Sequence, residues 1–314
     1  MHNQSKAYLL TLLAVTFWGT SASAFKIALR FVEPYTLLFF SVLFSALALF
    51  LIILLQGKTG LLFKLNRLQF GWLALLGLLN PFLYYTILFE AYSLLPGQIA
   101  MSINYGWPFA LTLLSVPILR QKLNRVQITA VVVSFAGALI IATKGSLADF
   151  EGVSKTGLIL AFSSTVIWAS FWLVNAKERS DPVIKLFWGF CFGLFYTTVC
   201  VPLLGPIAMP EPKAFLPLIY IGLFEMGITF VLWLTALQLS SSAARIGNLV
   251  YIAPFLSLLF LRIVIGETIH PTTFIGLFII VGSILFQEKF GGTVQANRAQ
   301  EKAPPAAPGK SWDN

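Results

Sequence analysis

The chain has 314 residues, of which 58% are hydrophobic and 11% are charged. Soluble globular proteins carry roughly 45–50% apolar and about 25% charged residues, so the composition excludes a soluble domain and a disordered chain. A helical membrane crossing needs about 20 apolar residues, so a chain of this length can hold about ten to twelve crossings. The composition predicts an all-α integral membrane protein.

Apolar runs separated by turn and charge signals mark ten candidate transmembrane helices. Their approximate ranges are 8–29, 35–55, 70–93, 98–119, 126–143, 156–176, 183–204, 214–237, 246–265 and 271–287. The breaks between them carry Pro, Gly or charge, as at Glu33-Pro34 and Asp181-Pro182. The segment 290–314 is rich in Gly, Pro, Ala and charge, which predicts a disordered cytoplasmic tail.

The net charge is +9, with 21 Lys and Arg against 12 Asp and Glu. If the N-terminus is cytoplasmic, fifteen of these basic residues fall on the cytoplasmic side and six on the other side. Basic residues collect in the cytoplasmic loops of membrane proteins, which accounts for the charge without a nucleic-acid partner. The bias predicts a multi-pass protein with both termini in the cytoplasm.

The two halves of the chain share features at a nearly constant separation. The pattern Tyr-x-x-Pro-Phe begins at Tyr105 and again at Tyr251, 146 residues later, and Trp18 and Trp168 lie 150 residues apart. A proline also opens the second helix of each half. These matches predict a duplicated five-helix unit, with one copy over 6–145 and the other over 154–289.

The odd number of helices in each unit determines how the two copies are related. The second copy must begin on the side opposite to the first, so the copies are related by a two-fold axis in the membrane plane. Inverted repeats of this kind are typical of secondary transporters, whose substrate site lies near the midplane between the repeats. The sequence therefore predicts alternating access to a central site.

Several of these features together resemble the drug/metabolite transporter superfamily, and its EamA-type branch in particular. They are the duplicated unit, the tryptophan in the opening helix of each half, the run Asn104-Tyr105-x-Trp107-Pro108, and Gly266-Glu267 at the end of the ninth span. The resemblance covers residues 6–289. The chain departs from it at Gln121, where many members have a Glu, whereas the second half keeps its counterpart Glu267.

The resemblance implies a ten-helix carrier of the bacterial inner membrane that exports small metabolites, often driven by the proton gradient. The Asn104-Tyr105-x-Trp107-Pro108 run, with Arg-Gln-Lys-Leu at 120–123, is similar to bacterial amino-acid exporters. Amino acids or related compounds are therefore the expected substrates. The expected partners are a small-molecule substrate and the lipid bilayer, and the oligomeric state stays open.

Two polar residues are expected near the midplane. Glu225 lies about halfway along the eighth span, and a buried unpaired acid is costly, so a proton-coupling role is one interpretation and a structural hydrogen bond is the other. Aligning the halves by Gly77 and Gly222 puts Asn80 opposite Glu225. The amide could bind an amino group of a substrate or form a helix–helix hydrogen bond.

Prolines inside the fourth and ninth spans would free backbone carbonyls, which membrane proteins tolerate where the backbone faces a cavity. This argument, together with an aromatic lining, predicts a substrate-binding wall. Its members are Asn80, Tyr84, Asn104, Tyr105, Trp107, Trp168 and Tyr251. Plain packing or an interface belt is the alternative for each aromatic residue.

Other functions are weighed by the groups that they need. An intramembrane enzyme needs paired carboxylates or a well-placed histidine, but the chain has two histidines, at a terminus and a loop edge, and no Asp pair in any span. A channel or lipid scramblase would show rings of charge or carbonyl filters, and neither is visible. The sequence predicts no enzyme, no cofactor and no metal.

Overall fold

A computed structural model describes residues 2–119, 123–143, 153–175, 180–203, 205–240 and 249–290. Within these ranges the regular structure is helical, without β-strands. In chain order the α-helices are α1 (His2–Ala28), α2 (Pro34–Leu55), α3 (Arg67–Gly77), α4 (Tyr84–Leu94), α5 (Gly97–Asn104), α6 (Trp107–Leu119), α7 (Arg125–Ala142), α8 (Lys155–Asn175), α9 (Pro182–Cys200), α10 (Pro212–Tyr220), α11 (Ile228–Leu239), α12 (Ala253–Phe260) and α13 (Pro271–Phe290). The all-helical class is confirmed.

Six helical stretches of the described chain are long and apolar enough to cross a membrane. They are Gln4–Ala28, Pro34–Leu55, Arg67–Leu94, Lys155–Asn175, Pro182–Leu203 and Pro212–Leu239. Three shorter apolar helices accompany them, at Arg125–Ile141, Ala253–Ile265 and Pro271–Gln287. The chain is a multi-pass membrane protein, and the expected count of ten crossings stays a prediction.

Local sequence signals explain where many helices begin. Proline is the first residue of α2, α9, α10 and α13, a position at which its missing N–H costs nothing. The side chains of Asn66 and Asn124 accept hydrogen bonds from the backbone of Gln69 and Gln127, and those glutamines bond back to the asparagine N–H groups. These two capping boxes start α3 and α7.

Two long stretches contain π-helical turns. Leu78–Leu83 joins α3 to α4 and contains the cis Asn80–Pro81 peptide bond, and Ile221–Gly227 joins α10 to α11 and contains Glu225. A third π-helical turn, Leu261–Ile265, follows α12. Single π turns inside helices occur frequently at functional sites.

The fourth predicted span differs from expectation. The sequence predicts one helix over 98–119 with a proline in its interior, but α5 ends at Asn104 and α6 begins at Trp107. Pro108 is the second residue of the new helix, where it disturbs no hydrogen bond of the helix. The ninth span behaves alike, because α12 begins at Ala253, just before its proline. Each proline therefore starts a helix after a break.

The tail prediction needs a small correction, since α13 continues through Phe290. Residues 291–314 lie outside the described residues, as do Gln121 and the rest of 120–122. The boundary segment 144–152 between the two predicted repeats is also outside them.

Helix packing follows a regular scheme. Helix α1 packs against α11 and α12, and α8 packs against α4 and α6. Helix α2 packs on the π turn Ile221–Gly227, and α9 packs on the π turn Leu78–Leu83. Two further pairs are α2 with α9 and α7 with α13. Most buried apolar residues of these helices form one continuous core.

Small residues bring α7 and α13 together. The hydroxyl oxygens of Ser134 and Ser283 lie 2.6 Å apart. A Cβ on Gly137 would lie 2.8 Å from the carbonyl oxygen of Gly276, so both glycines are required for this approach. Close backbone contact through small residues is the usual way for helices to associate in lipid, where apolar burial alone provides little attraction between helices.

Candidate functional site

The deepest acid of the described chain lies in a cluster of hydroxyl groups from other helices. Glu225 is 8% exposed. Its Oε1 accepts a hydrogen bond from the Tyr85 hydroxyl of α4 at 3.0 Å, and its Oε2 accepts one from the Ser21 hydroxyl of α1. The carboxyl group therefore connects the first, third and eighth spans at one buried point.

Glycines position Glu225 by allowing its π turn to approach α2. A Cβ on Gly222 would lie 2.7 Å from the carbonyl oxygen of Ser41, a distance that real Cβ atoms do not adopt. The Thr229 hydroxyl, in the first turn of α11, donates to the carbonyl oxygen of Phe224 in the π turn.

Asn80 occupies the other long π turn, Leu78–Leu83, but lies in a different environment. It is 2% exposed, and neither polar atom of its amide has a hydrogen-bond partner among the described residues. It lines a cavity of about 10 Å³, close to the size that one water molecule needs, with Asn175 and Lys185. Glu225 does not line this cavity and bonds to Ser21 and Tyr85 instead, so the structure does not join the two polar groups in one hydrogen-bonded cluster.

An aromatic and amide cluster lies next to Glu225. The Tyr84 hydroxyl donates to Asn104 Oδ1 at 3.1 Å, and Asn104 Nδ2 donates to the Ser164 hydroxyl at 2.9 Å. The ring of Tyr84 stacks on Trp168 with a centroid distance of 4.5 Å. This network joins α4, the end of α5 and α8, and it brings three of the sequence-predicted wall residues together.

The two clusters meet at neighbouring tyrosines. The ring centroids of Tyr84, which bonds to Asn104, and Tyr85, which bonds to Glu225, lie 4.7 Å apart. Trp168 also lies 5.8 Å from Phe230 of α11. An acid, an amide and several aromatic faces therefore share one region of the interior.

The remaining wall candidates lie at the helix breaks. Tyr105 and Tyr251 occupy the non-helical turns before α6 and α12, and both are half-buried against the core. Trp107 opens α6 and stacks on Trp172 at 6.5 Å, and Trp172 in turn lies 5.7 Å from Trp168. Trp107 therefore belongs to the aromatic region around Trp168.

Sequence reasoning missed two members of the site. Ser21 and Ser164 were not singled out, because a serine in an apolar helix gives no signal beyond its polarity. The structure also uses the hydroxyl of Tyr85, the neighbour of the predicted wall residue Tyr84, as a donor to Glu225. Ser21 does lie in a run of small residues, Ser21 to Ala24, which marks a close helix contact.

A second polar cluster joins the two halves away from Glu225. Glu267, after the ninth span, accepts hydrogen bonds from the backbone N–H groups of Gly97 at 3.1 Å and Gln98 at 3.0 Å. The Gln98 side chain donates to the carbonyl oxygen of Thr268 and accepts from the N–H of His270. Glu267 thus satisfies free N–H groups at the start of α5, which have no partner inside the helix.

Lys26 strengthens the same region from α1. Its ammonium group donates to the carbonyl oxygens of Tyr92 at 3.0 Å and Leu95 at 3.1 Å, at the end of α4. A cation is favourable there because the carbonyl groups at a helix C-terminus carry partial negative charge.

Comparisons with known proteins extend these observations. A solved crystal structure superposes with a TM-score of 0.63 at 22% identity, covering 91% of this chain and 98% of the other, which shows a shared fold. An uncharacterized transporter from Clostridium kluyveri is 24% identical over 302 residues, covering 89% of this chain and 92% of that protein. The aromatic amino acid exporter YddG from Ancylobacter novellus is 25% identical over 188 residues, covering 59% of this chain and 64% of that protein.

The EamA-like transporter family matches the chain twice, over residues 5–143 and 155–287. The two matches include all the helices that carry Glu225, Tyr84, Asn104 and Trp168. This protein belongs to the EamA-like transporter family.

Proposed function

We propose that this protein is a secondary active transporter that exports small metabolites, with amino acids or related compounds as substrates, by alternating access. The observation that carries the proposal is the buried carboxyl of Glu225, bonded to Ser21 and Tyr85 and continuous with the aromatic and amide cluster around Tyr84. A protonatable group beside a binding surface can link proton movement to substrate movement.

The proposed repeat architecture is two inverted five-helix units over 6–145 and 154–289. Two separate matches to one family support it. The helix contacts support it as well, because exchanging the units pairs α1 with α8, α2 with α9, α7 with α13, and the first π turn with the second. Under this exchange, the contact between α1 and α11 corresponds to the contact between α8 and α4. In the same way, the contact between α2 and the second π turn corresponds to the contact between α9 and the first π turn.

Equivalent helices also run in opposite directions where they meet, as an axis in the membrane plane requires. Tyr35, near the start of α2, lies beside Gly205 after the end of α9, and Phe50 lies 5.7 Å from Phe187 near the start of α9. The contacts of α7 and α13 run in the same antiparallel sense. Rocking of one unit against the other would open the central region to each side in turn.

The chemistry of the cluster supports the substrate class. The Asn104 amide and the Glu225 carboxyl can bind an amino or carboxyl group, and the indole of Trp168 offers an apolar face. The similarity to an aromatic amino acid exporter, over 188 residues, is consistent with such a ligand. We place the protein in the bacterial inner membrane with both termini cytoplasmic, since the basic residues are distributed with that bias.

Proteoliposome transport tests the proposal. Purified protein in sealed vesicles should move at least one amino acid from a broad panel, with saturable kinetics and a response to an imposed pH gradient. Glu225→Gln keeps the shape of the side chain and removes proton exchange, so gradient-driven flux should fall at least tenfold. Glu90→Gln, which changes a half-buried acid near the end of α4, is the matched control and should transport as the wild type does.

Three results would contradict the proposal. If the wild type transports none of the compounds in the panel, the proposed carrier function is wrong. If transport by Glu225→Gln responds to the pH gradient as strongly as transport by the wild type, Glu225 does not couple transport to protons. Non-saturating flux far above carrier turnover would indicate a channel or a scramblase.

A further inference from the structure

We propose that a groove on the bilayer-facing side of α3 and α9 binds the headgroup and one acyl chain of an anionic phospholipid. The groove has a volume of about 540 Å³. Its lining residues are Leu65, Asn66, Arg67, Phe70, Gly71, Ala74 and Phe192. It lies apart from the Glu225 and Tyr84 clusters, with which it shares no lining residue, so it is not part of the proposed transport site.

The mouth of the groove carries unpaired positive charge. Arg67 is the first residue of α3, and its side chain is exposed with no ion pair among the described residues. Lys64 is exposed three residues earlier, and none of the lining residues is acidic. The nearby Lys58 is already paired with Asp181 at 2.8 Å. Arg67 therefore has a guanidinium available for a phosphate, the group that its planar fork binds best.

The start of α3 adds backbone donors to this charge. The Asn66 side chain occupies the N–H of Gln69, while the first amides of the helix point out of its N-terminus. Helix N-termini favour anions through these amides and the helix dipole. Arg67 and the helix end together provide the two features of a phosphate site at one point.

Below the charged mouth the groove is apolar and open. A Cβ on Gly71 would have no atom within 4 Å, so this position leaves the floor of the groove empty. One wall is aromatic, because Phe70 lies 4.8 Å from Trp188 and 5.3 Å from Phe192. Tyr196 continues this wall beside Phe192 and hydrogen-bonds to the carbonyl oxygen of Ala74.

A charged mouth above an apolar channel matches an amphiphile with an anionic head. The groove starts at the first turn of Arg67–Leu94, a helical stretch long enough to span the membrane. Headgroup phosphates lie at that depth, and basic pockets between helices on the cytoplasmic side bind anionic headgroups. A second copy of the chain or a neutral lipid would use the apolar part but leave the guanidinium without a partner.

Lipid binding to the full chain tests this inference. Detergent-purified protein would be titrated with phosphatidylglycerol or phosphatidylcholine, and bound lipid counted by native mass spectrometry. The wild type should hold one phosphatidylglycerol molecule in preference to phosphatidylcholine. Arg67→Gln should bind phosphatidylglycerol about fivefold more weakly, which corresponds to about 1 kcal/mol per basic residue at a membrane surface.

Two further variants separate the headgroup from the chain. Gly71→Leu adds an apolar side chain at the floor of the groove, starting from a Cβ that meets no atom within 4 Å, so it should abolish the preferred lipid while the protein stays folded. Lys213→Gln changes a basic residue near the start of α10, the repeat-equivalent place, and should bind as the wild type does. Equal phosphatidylglycerol binding by the wild type, Arg67→Gln and Gly71→Leu would overturn the proposal, as would equal retention of both lipids or formation of a dimer across the groove.

Discussion

Glu225 lies in the interior with two hydroxyl donors, and it forms no ion pair within the part of the chain that the structure describes. Hydroxyl groups suit a residue that changes protonation, because a hydroxyl can donate to the carboxylate and can also accept from the neutral acid. A fixed lysine or arginine would instead hold the carboxylate in its charged form. The chemistry of its neighbours therefore favours reversible proton exchange over a permanent ion pair.

Removal of one donor should slow transport without preventing folding. Tyr85→Phe deletes the hydroxyl that bonds to Glu225 Oε1 and keeps the ring in the core. Hydrogen bonds to charged groups contribute about 1.5–3 kcal/mol, so we expect transport to fall about tenfold or more. The measurement is the initial rate of gradient-driven flux. Tyr8→Phe, at an exposed position of α1, is the control, and an unchanged rate in Tyr85→Phe would contradict the role of the donor.

The Tyr84–Asn104 hydrogen bond should couple two helices energetically. Tyr84→Phe leaves the half-buried Asn104 and Asn104→Ala leaves the buried Tyr84 without this bond, and the loss costs about 1–3 kcal/mol. We expect the double variant to be less destabilised than the sum of the two single variants, since residues in one network are not additive. Thermal unfolding of the four proteins in detergent measures this coupling, and strict additivity would show that the bond contributes nothing.

At the scale of elements, glycine determines how closely the π turns approach their neighbours. A Cβ on Gly77 would lie 2.4 Å from the carbonyl oxygen of Gly189, and one on Gly222 would meet α2 at 2.7 Å. Both contacts involve backbone atoms, which cannot move aside as a flexible side chain can. In both cases a glycine without a Cβ therefore allows the π turn, with Asn80 or Glu225, to lie close against α9 or α2.

The close backbone contact at Gly222 predicts the effect of adding one methyl group there. Gly222→Ala should destabilise the protein by about 1–3 kcal/mol through overpacking and should displace Glu225 from its donors. Gly282→Ala, inside α13 where a Cβ meets nothing within 4 Å, should leave stability unchanged or slightly raised. The unfolding midpoint and the transport rate are the measurements. Equal behaviour of the two variants would show that close packing at Gly222 is unimportant.

Element boundaries were predicted well where a local signal exists. Proline at the first helical position can be read directly from the chain, as at Pro34 and Pro182. The capping box at Asn66 was not used in the prediction, and α3 begins at Arg67, before the predicted start at 70. The break at Tyr105 was harder to place, because a proline is compatible with either a kink inside a helix or the start of a new one. Whether the chain kinks or starts a new helix depends on how it packs against α8, and a local sequence pattern carries no information about that packing.

At the scale of the whole molecule, Glu267 connects the end of the ninth span to the start of α5. This contact joins one half of the chain to the other, and alternating access would require it to break in one state. In the proposed repeat, the counterpart of Glu267 in the first half is Gln121, so an acid is present at one of the two positions. In the proposed carrier, the closed state of the side that contains Glu267 would then be the more strongly stabilised of the two.

Hydrogen–deuterium exchange tests this contact. Glu267→Ala removes the acceptor of the Gly97 and Gln98 N–H groups, which have no partner inside α5, so exchange in the first turn of α5 should accelerate about tenfold or more. Glu211→Ala changes an exposed acid that precedes α10 without a side-chain cap, and it should leave the exchange of α5 unaltered. Unchanged exchange in Glu267→Ala would show that the carboxylate does not hold the two halves together.

The sequence by itself determined the helical membrane class, the positions of most helices and the acid within the eighth predicted span. These properties depend on the order of apolar, small and helix-starting residues along the chain, which is local information. The tertiary structure decided which polar groups meet. Ser21 and Tyr85 reach Glu225 across 204 and 140 residues, and Asn80 lies in a cavity of its own. Helices that are apolar on every side do not reveal which face turns inward, so the rotation of each helix follows from close packing at glycines and serines.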